Sequence, residues 1–254
     1  MLHNLDPRTA YSVNSVFWTL AVEEQLYLLY FLLLWLRNRW GWGVSLLICF
    51  SARLVWFVIC MAIFQRTGTA PPIEEMSLSH WFEWALGAVS VEWALGLIEL
   101  PAYARSATAG ASVLCIAAAL TYMHRVVDIS TPINNAIWAM ETPVWGVGCF
   151  LILNFLVDRE RCWRKVGPPP WSIGLLASVG IFSYSLYLTH LIIVDSYAKS
   201  WRDWQQAPGI WQMLSTLVLL PLCCIAFAWL FYQVVERHFL PKGTANRNQL
   251  LEKR

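Results

Sequence analysis

Polar and apolar positions fall along this chain in long blocks, not in the short periods of a soluble fold. Seven apolar runs can be cut out, at about 16–36, 42–64, 79–100, 108–123, 133–157, 173–198 and 210–234. At 1.5 Å per residue most are long enough to cross the ~30 Å hydrocarbon core of a bilayer, the fourth being the shortest. The intervening pieces carry Pro, Gly or charge, as at Pro71-Pro72, Pro101, Pro132, Pro168-Pro169-Pro170 and Pro208-Gly209, residues that stop helices and turn the chain. The pattern predicts an all-α, polytopic transmembrane helical bundle of about seven spans over 1–240, followed by a cytoplasmic tail, 241–254.

Composition agrees. The chain of 254 residues is 58% hydrophobic and 13% charged, against about 25% charged for a soluble domain. Many of its 16 tryptophans sit at the ends of apolar runs, where an aromatic belt lies. A net charge of +2 without a basic stripe gives no reason to expect nucleic acid as a partner. Six of the seven cysteines lie inside apolar runs, and none forms a CxxC pair; this argues against a disulfide framework and against a metal site.

Charge sets an expected orientation. Twelve of the eighteen Lys and Arg, among them Arg37, Arg39, Arg105, Arg159, Arg161 and Arg237, fall on one side of the seven runs. Arg8, Arg66, Arg125, Lys199 and Arg202 fall on the other, and Arg53 lies inside a span. The positive-inside rule places the first side in the cytoplasm, so the N-terminus is outside.

Several polar residues interrupt the spans. Val16–Leu36 holds eight Leu, two Val and two Phe, which favour insertion by roughly 4–7 kcal/mol. Glu23 and Glu24, at about 2.5–3.5 kcal/mol each, cancel most of that. Thr19, Glu23, Tyr27 and Tyr30 form one helical stripe. It reads either as a polar seam between helices or as a functional face, and the carboxylate favours the second. Arg53, near the middle of the second run, needs a partner; Glu23 is at a reachable depth, and a structural pair and a substrate contact are both open.

The third run contains EWALG twice, at Glu83–Gly87 and Glu92–Gly96. Nine residues make about 900° of helix, so the copies face opposite ways and at most one glutamate shares a cavity with Glu23. Gly87 is expected to allow close helix packing. Glu141, Pro143, Gly146 and Gly148 predict a kink or break in the fifth run. Tyr184, Tyr187 and His190 drift around one side of the sixth. His80 and His124, at run ends, read as interfacial.

Four stretches together resemble the integral-membrane acyltransferase family 3. Trp18-Thr19-Leu20-Ala21-Val22-Glu23-Glu24-Gln25-Leu26-Tyr27 is similar to that family's W-S-L-x-x-E-x-x-F-Y. Glu83-Trp84-Ala85-Leu86-Gly87 resembles its aromatic-x-x-Gly span. Ser183-Tyr184-Ser185-Leu186-Tyr187-Leu188-Thr189-His190 resembles its S-Y-x-x-Y-L-x-H. Tyr232-Gln233-Val234-Val235-Glu236-Arg237-His238-Phe239 resembles its terminal Y-x-x-x-E-x-P-x, with His238 in place of Pro. Members also carry an Arg followed eleven positions later by the presumed catalytic His. No such pair occurs here, and the resemblance implies about three further spans upstream, an N-terminal truncation.

The resemblance implies an O-acyltransferase of the inner membrane, multi-pass, that moves an acyl group, most often acetyl, from acyl-CoA to a hydroxyl. The implied acceptor is a carbohydrate or lipid-linked glycan, and no bound cofactor is implied. Stripe and motif together give the expected site: Glu23, Tyr27 and His190 as catalytic residues, with Arg53, Glu24, Tyr184 and Tyr187 contacting substrate. An inactive paralogue, or a transporter relaying protons through Glu23, Arg53 and His190, are the alternatives.

Overall fold

The longest helix of the computed structural model, α1 (Phe17–Thr67), has a single residue outside helical space, Gly41, at φ 78° and ψ 174°. The structure describes residues 17–68, 71, 73–166, 171–202, 209 and 214–239, so the tail expected at 241–254 lies outside the described residues. A straight rod would hold Trp18 and Arg53 about 50 Å apart. Instead the Trp18 ring lies 6.3 Å from that of His80, and Arg53 donates to the carbonyl of the adjacent Ser79. α1 is therefore a hairpin of two antiparallel limbs, 17–40 and 42–67. Glycine suits the turn because it has no Cβ to oppose a positive φ.

Helix α2 (Ser77–Ala94) lies along both limbs. Its start meets Trp18 and Arg53. Near its end, Glu92 accepts from Arg37 at 2.9 Å and Trp42 at 2.7 Å, one from each side of the Gly41 turn. Val22, Leu26, Leu33 and Leu36 of the first limb pack with Cys49 of the second and with Trp81 and Ala85 of α2 in one buried cluster.

A 3-10 turn at Ala102–Arg105 leads to α3 (Ala107–Val126), whose first turn is capped by Ser106 Oγ accepting from the Ala109 N–H at 3.3 Å. α3 pairs antiparallel with α4 (Thr131–Val166). A Cβ on Gly110 would stand 2.6 Å from Ile152, and one on Gly148 would stand 2.6 Å from Leu114. These two glycines set the close approach of the pair. The expectation for Gly87 is corrected: nothing stands within 4 Å of a Cβ built there.

Of the kink or break expected in the fifth run, the break does not occur, because α4 runs on through Pro143. Proline has no N–H, so the carbonyl four residues back, on Ala139, loses its helical donor. Arg53 Nε supplies one at 3.1 Å. A hydrogen bond from another helix thus replaces the one that proline removes.

The chain divides into two compact units between Pro168 and Pro169. In the second, α5 (Trp171–Ile181) and α6 (Ser183–Arg202) meet at 75° about Phe182. The sixth run, expected as one span, is therefore bent. Gly180 weakens the helix here, the Phe182 N–H bonds three residues back to Val179 at 3.2 Å, and the Phe182 ring turns into the core beside Tyr232. α7 (Leu220–Phe231) is extended by π-helical turns at Ser215–Leu219 and Tyr232–Glu236.

No strand occurs among the described residues. The fold is all-α, and among the described residues four helices, or five with the bent pair, are long and apolar enough to cross a membrane, with α1 counted once although its hairpin has two limbs. Large apolar side chains such as Leu28, Phe31, Leu176 and Val234 cover their outer faces, as a lipid solvent favours.

Candidate active site

The four motif stretches meet in pairs, each inside one unit. In the first unit Trp84 packs T-shaped against Tyr27 and Tyr30, at centroid distances of 6.4 and 5.4 Å. In the second, Ser185 donates to Glu236, and Phe182 lies 6.4 Å from Tyr232. Ser185 is fully buried and Glu236 half-buried, so a partly buried hydrogen bond joins the third and fourth motifs.

The first pair borders a cavity of about 310 Å³ between α1 and α2, lined by Trp18, Thr19, Glu23, His80, Glu83 and Trp84, with Val22 and Leu26 at its base. Glu23 reaches it from the exposed side of α1. Glu83 is the more unusual group. Both its carboxylate oxygens are buried, and neither has a hydrogen-bond partner among the described residues. Placing a carboxylate in that situation costs several kcal/mol. Gly146 of α4 makes room for it, since a Cβ there would stand 2.5 Å from Glu83 Cγ.

The two EWALG copies do face opposite ways. Glu83 turns to the cavity and α4, while Glu92 turns to the α1 hairpin. His80 stands one turn before Glu83 on the same face, as i, i+3 neighbours do. Its Nε2 lies 2.7 Å from the carbonyl oxygen of Glu74. A carbonyl only accepts, so Nε2 carries the proton and Nδ1 the lone pair of the neutral ring.

Arg53 does not reach into this cavity. It is 2% exposed, with Nε on Ala139 O and Nη1 on Ser79 O. Its carboxylate neighbour is Glu74, with Nη2 at 3.7 Å, where the sequence pointed to Glu23. Arg53 braces α2 and α4 to the second limb beneath Glu83.

Of the other expected site residues, Tyr27 is 59% exposed and flanks Trp84 without lining the cavity. Glu24 lies on an exposed face of α1 and does not line it either. Glu141 of α4 accepts from Thr121 at 2.8 Å, and Thr121 in turn accepts from Trp145 at 3.0 Å. Tyr184, Tyr187 and His190 belong to the second unit, where His190 Nδ1 lies 2.7 Å from the Tyr187 carbonyl. The structure adds His80, which the sequence reading took as interfacial. Its spacing of three from Glu83 was the available signal. No cluster of three or more metal-ligating side chains occurs among the described residues.

A helical membrane architecture with a cavity of carboxylates, an imidazole and indoles is the class that fold and site define. The family model for an acyltransferase domain matches residues 3–233, across both units, and the chain belongs to acyltransferase family 3. It is a membrane acyltransferase. No curated protein and no solved structure gives a match.

Proposed function

We propose that this protein transfers an acyl group, most simply acetyl, from acyl-CoA to a hydroxyl of a cell-surface carbohydrate or lipid-linked glycan. The observation that carries the reading is the pair of carboxylates, Glu23 and the unpartnered Glu83, in one indole-flanked cavity. A sugar ring has apolar C–H faces and a rim of hydroxyls. Trp18 and Trp84 offer flat surfaces to the faces, and the carboxylates accept from the rim, a combination that fixes orientation in a largely apolar pocket. With a hydroxyl held on Glu83, its oxygen is presented to the thioester carbonyl, and its proton leaves as the new C–O bond forms.

Orientation supports the same reading. Arg37, Arg105 and Arg161 gather where α2 ends, on Glu92, Asp158 and the carbonyls of Trp93 and Ala94. The cavity lies at the other end of α2. If the arginine end is cytoplasmic, the polyanionic CoA donor approaches from the basic side and the glycan from the outer side of an inner membrane. His190, Tyr184 and Tyr187 enter this reading through the second unit's paired motifs.

The test uses the full chain in lipid vesicles with radiolabelled acetyl-CoA and a panel of free and lipid-linked sugars. Labelled ester is expected from wild type and is lost in Glu83→Gln. Absence of ester with every sugar, or transfer by Glu83→Gln at the wild-type rate, overturns the proposal.

A further inference from the structure

We infer that the glycan acceptor carries a protonated primary amine, bound in this cavity between Glu23 and Glu83; the inference rests on the acyl-transfer reading. The ionisable groups of the lining are all acceptors. Glu23 and Glu83 offer two carboxylate oxygens each, and His80, whose Nε2–H donates to Glu74 O, offers the lone pair of Nδ1. Among the described residues neither carboxylate is paired with a cation. Other carboxylates of the same unit are served by arginine: Glu92 by Arg37 at 2.9 Å, Asp158 by Arg105 at 3.4 Å, and Glu74 by Arg53 at 3.7 Å. Glu83 makes the shortage plain. Each of its oxygens exposes less than 1 Å² and receives no hydrogen bond from a described residue. A carboxylate so placed calls for a counter-ion. The fold supplies none here, and the ligand does.

A primary ammonium meets each requirement. It brings one positive charge and three N–H donors, and it accepts nothing. Indoles are the aromatic rings that attract a cation best, and Trp18 and Trp84 line the same cavity. Its volume of about 310 Å³ lies at the small end of ligand cavities, about 300–1,000 Å³, and suits one amino-sugar ring. The two carboxylates together present more oxygens than an ammonium has N–H groups, so an oxygen of Glu83 stays open to the reacting hydroxyl. The ammonium thereby selects which hydroxyl is presented. Clamped between carboxylates, the amine keeps its proton and has no lone pair to attack with. Transfer goes to oxygen, and the product is an ester that retains a free amine.

The test uses acceptors that differ only at the amine: glucosamine, N-acetylglucosamine and glucose, free and lipid-linked. The full chain is held in phosphatidylglycerol vesicles with radiolabelled acetyl-CoA. The free amine is expected to raise kcat/KM about 10–100-fold, the range for hydrogen bonds to charged groups, mostly through KM. The product is expected to be a hydroxylamine-labile ester, and in Glu23→Gln the preference for the amine is expected to shrink severalfold. Equal kcat/KM for the three sugars, acylation on nitrogen, or an undiminished preference in Glu23→Gln overturns the inference while acyl transfer stands.

Ethanolamine headgroups carry the same ammonium. Adding phosphatidylethanolamine to the vesicles is expected to leave the preference unchanged; if it abolishes the preference, the lipid is the source and the glycan assignment falls. A readout without turnover separates the two readings. Glucosamine, and not glucose at equal concentration, is expected to raise the unfolding temperature of the chain in detergent. No such shift overturns the ammonium site. The shift without acylation of any sugar keeps that site and overturns the acyl-transfer reading.

Discussion

The two copies of EWALG give one side chain two different environments. Glu92 accepts from Arg37 Nη2, Arg37 Nε and Trp42 Nε1 at 2.9, 3.3 and 2.7 Å. It clasps the α1 hairpin across the Gly41 turn. Glu83, nine residues earlier on the same helix, has buried carboxylate oxygens with no donor among the described residues and lines a cavity. The five residues are identical, so the difference comes from what α1 and α4 place opposite each copy. One glutamate holds the fold together. The other is held in place by the fold at an energetic cost, as functional groups often are.

Five substitutions break or sharpen this contrast. The largest effect is expected from Arg53→Ala, which strips donors from Ala139 O and Ser79 O and leaves Glu74 without its cation. Breaking a buried charge network of this kind costs about 3–5 kcal/mol, read as a lower unfolding temperature in detergent; an unshifted transition would remove Arg53 as the brace.

Glu83→Gln comes next and acts on chemistry. Acyl transfer is expected to drop roughly 100-fold, about 2.7 kcal/mol of transition-state stabilisation, while thermal unfolding stays level or improves. Gly146→Ala is expected to lower transfer in the same way, because its Cβ meets the Glu83 side chain.

Glu92→Gln is expected to do the reverse. Weakening its charge-assisted bonds lowers stability by about 1–3 kcal/mol, with transfer per folded molecule unchanged. If activity fell as much as in Glu83→Gln, the division of labour between the copies would be wrong.

The smallest effect belongs to Gly87→Ala. Open space surrounds that position, so alanine is expected to raise helix stability by up to ~1 kcal/mol and to leave transfer intact. A clear loss of stability would restore the packing role that the sequence suggested for Gly87.

Much of this was legible beforehand. Long apolar blocks marked the helices, and four motifs in order marked the family. The opposite aspect of Glu83 and Glu92 followed from helical rotation alone. His80 was also within reach, three residues from Glu83 on the same face. The errors share one cause. Whether a glycine packs closely depends on the helix opposite it: Gly110 and Gly148 meet Ile152 and Leu114, while Gly87 meets open space. Pro143 left a break open beside a kink because the pattern contains no sign that Arg53, 90 positions away, stands ready to take the carbonyl it frees.

The sequence by itself determined that this is an all-α membrane protein of its family and that two glutamates leave α2 in opposite directions. Both follow from properties that extend only along a helix, apolar length and 100° of turn per residue. Only the tertiary structure decided which glutamate is satisfied. A hydrogen bond reaches about 3 Å, and the donors of Glu92 lie 55 and 50 residues away along the chain. They meet it because α1 folds back at Gly41, and the same fold leaves Glu83 facing a cavity without a hydrogen bond from any described residue.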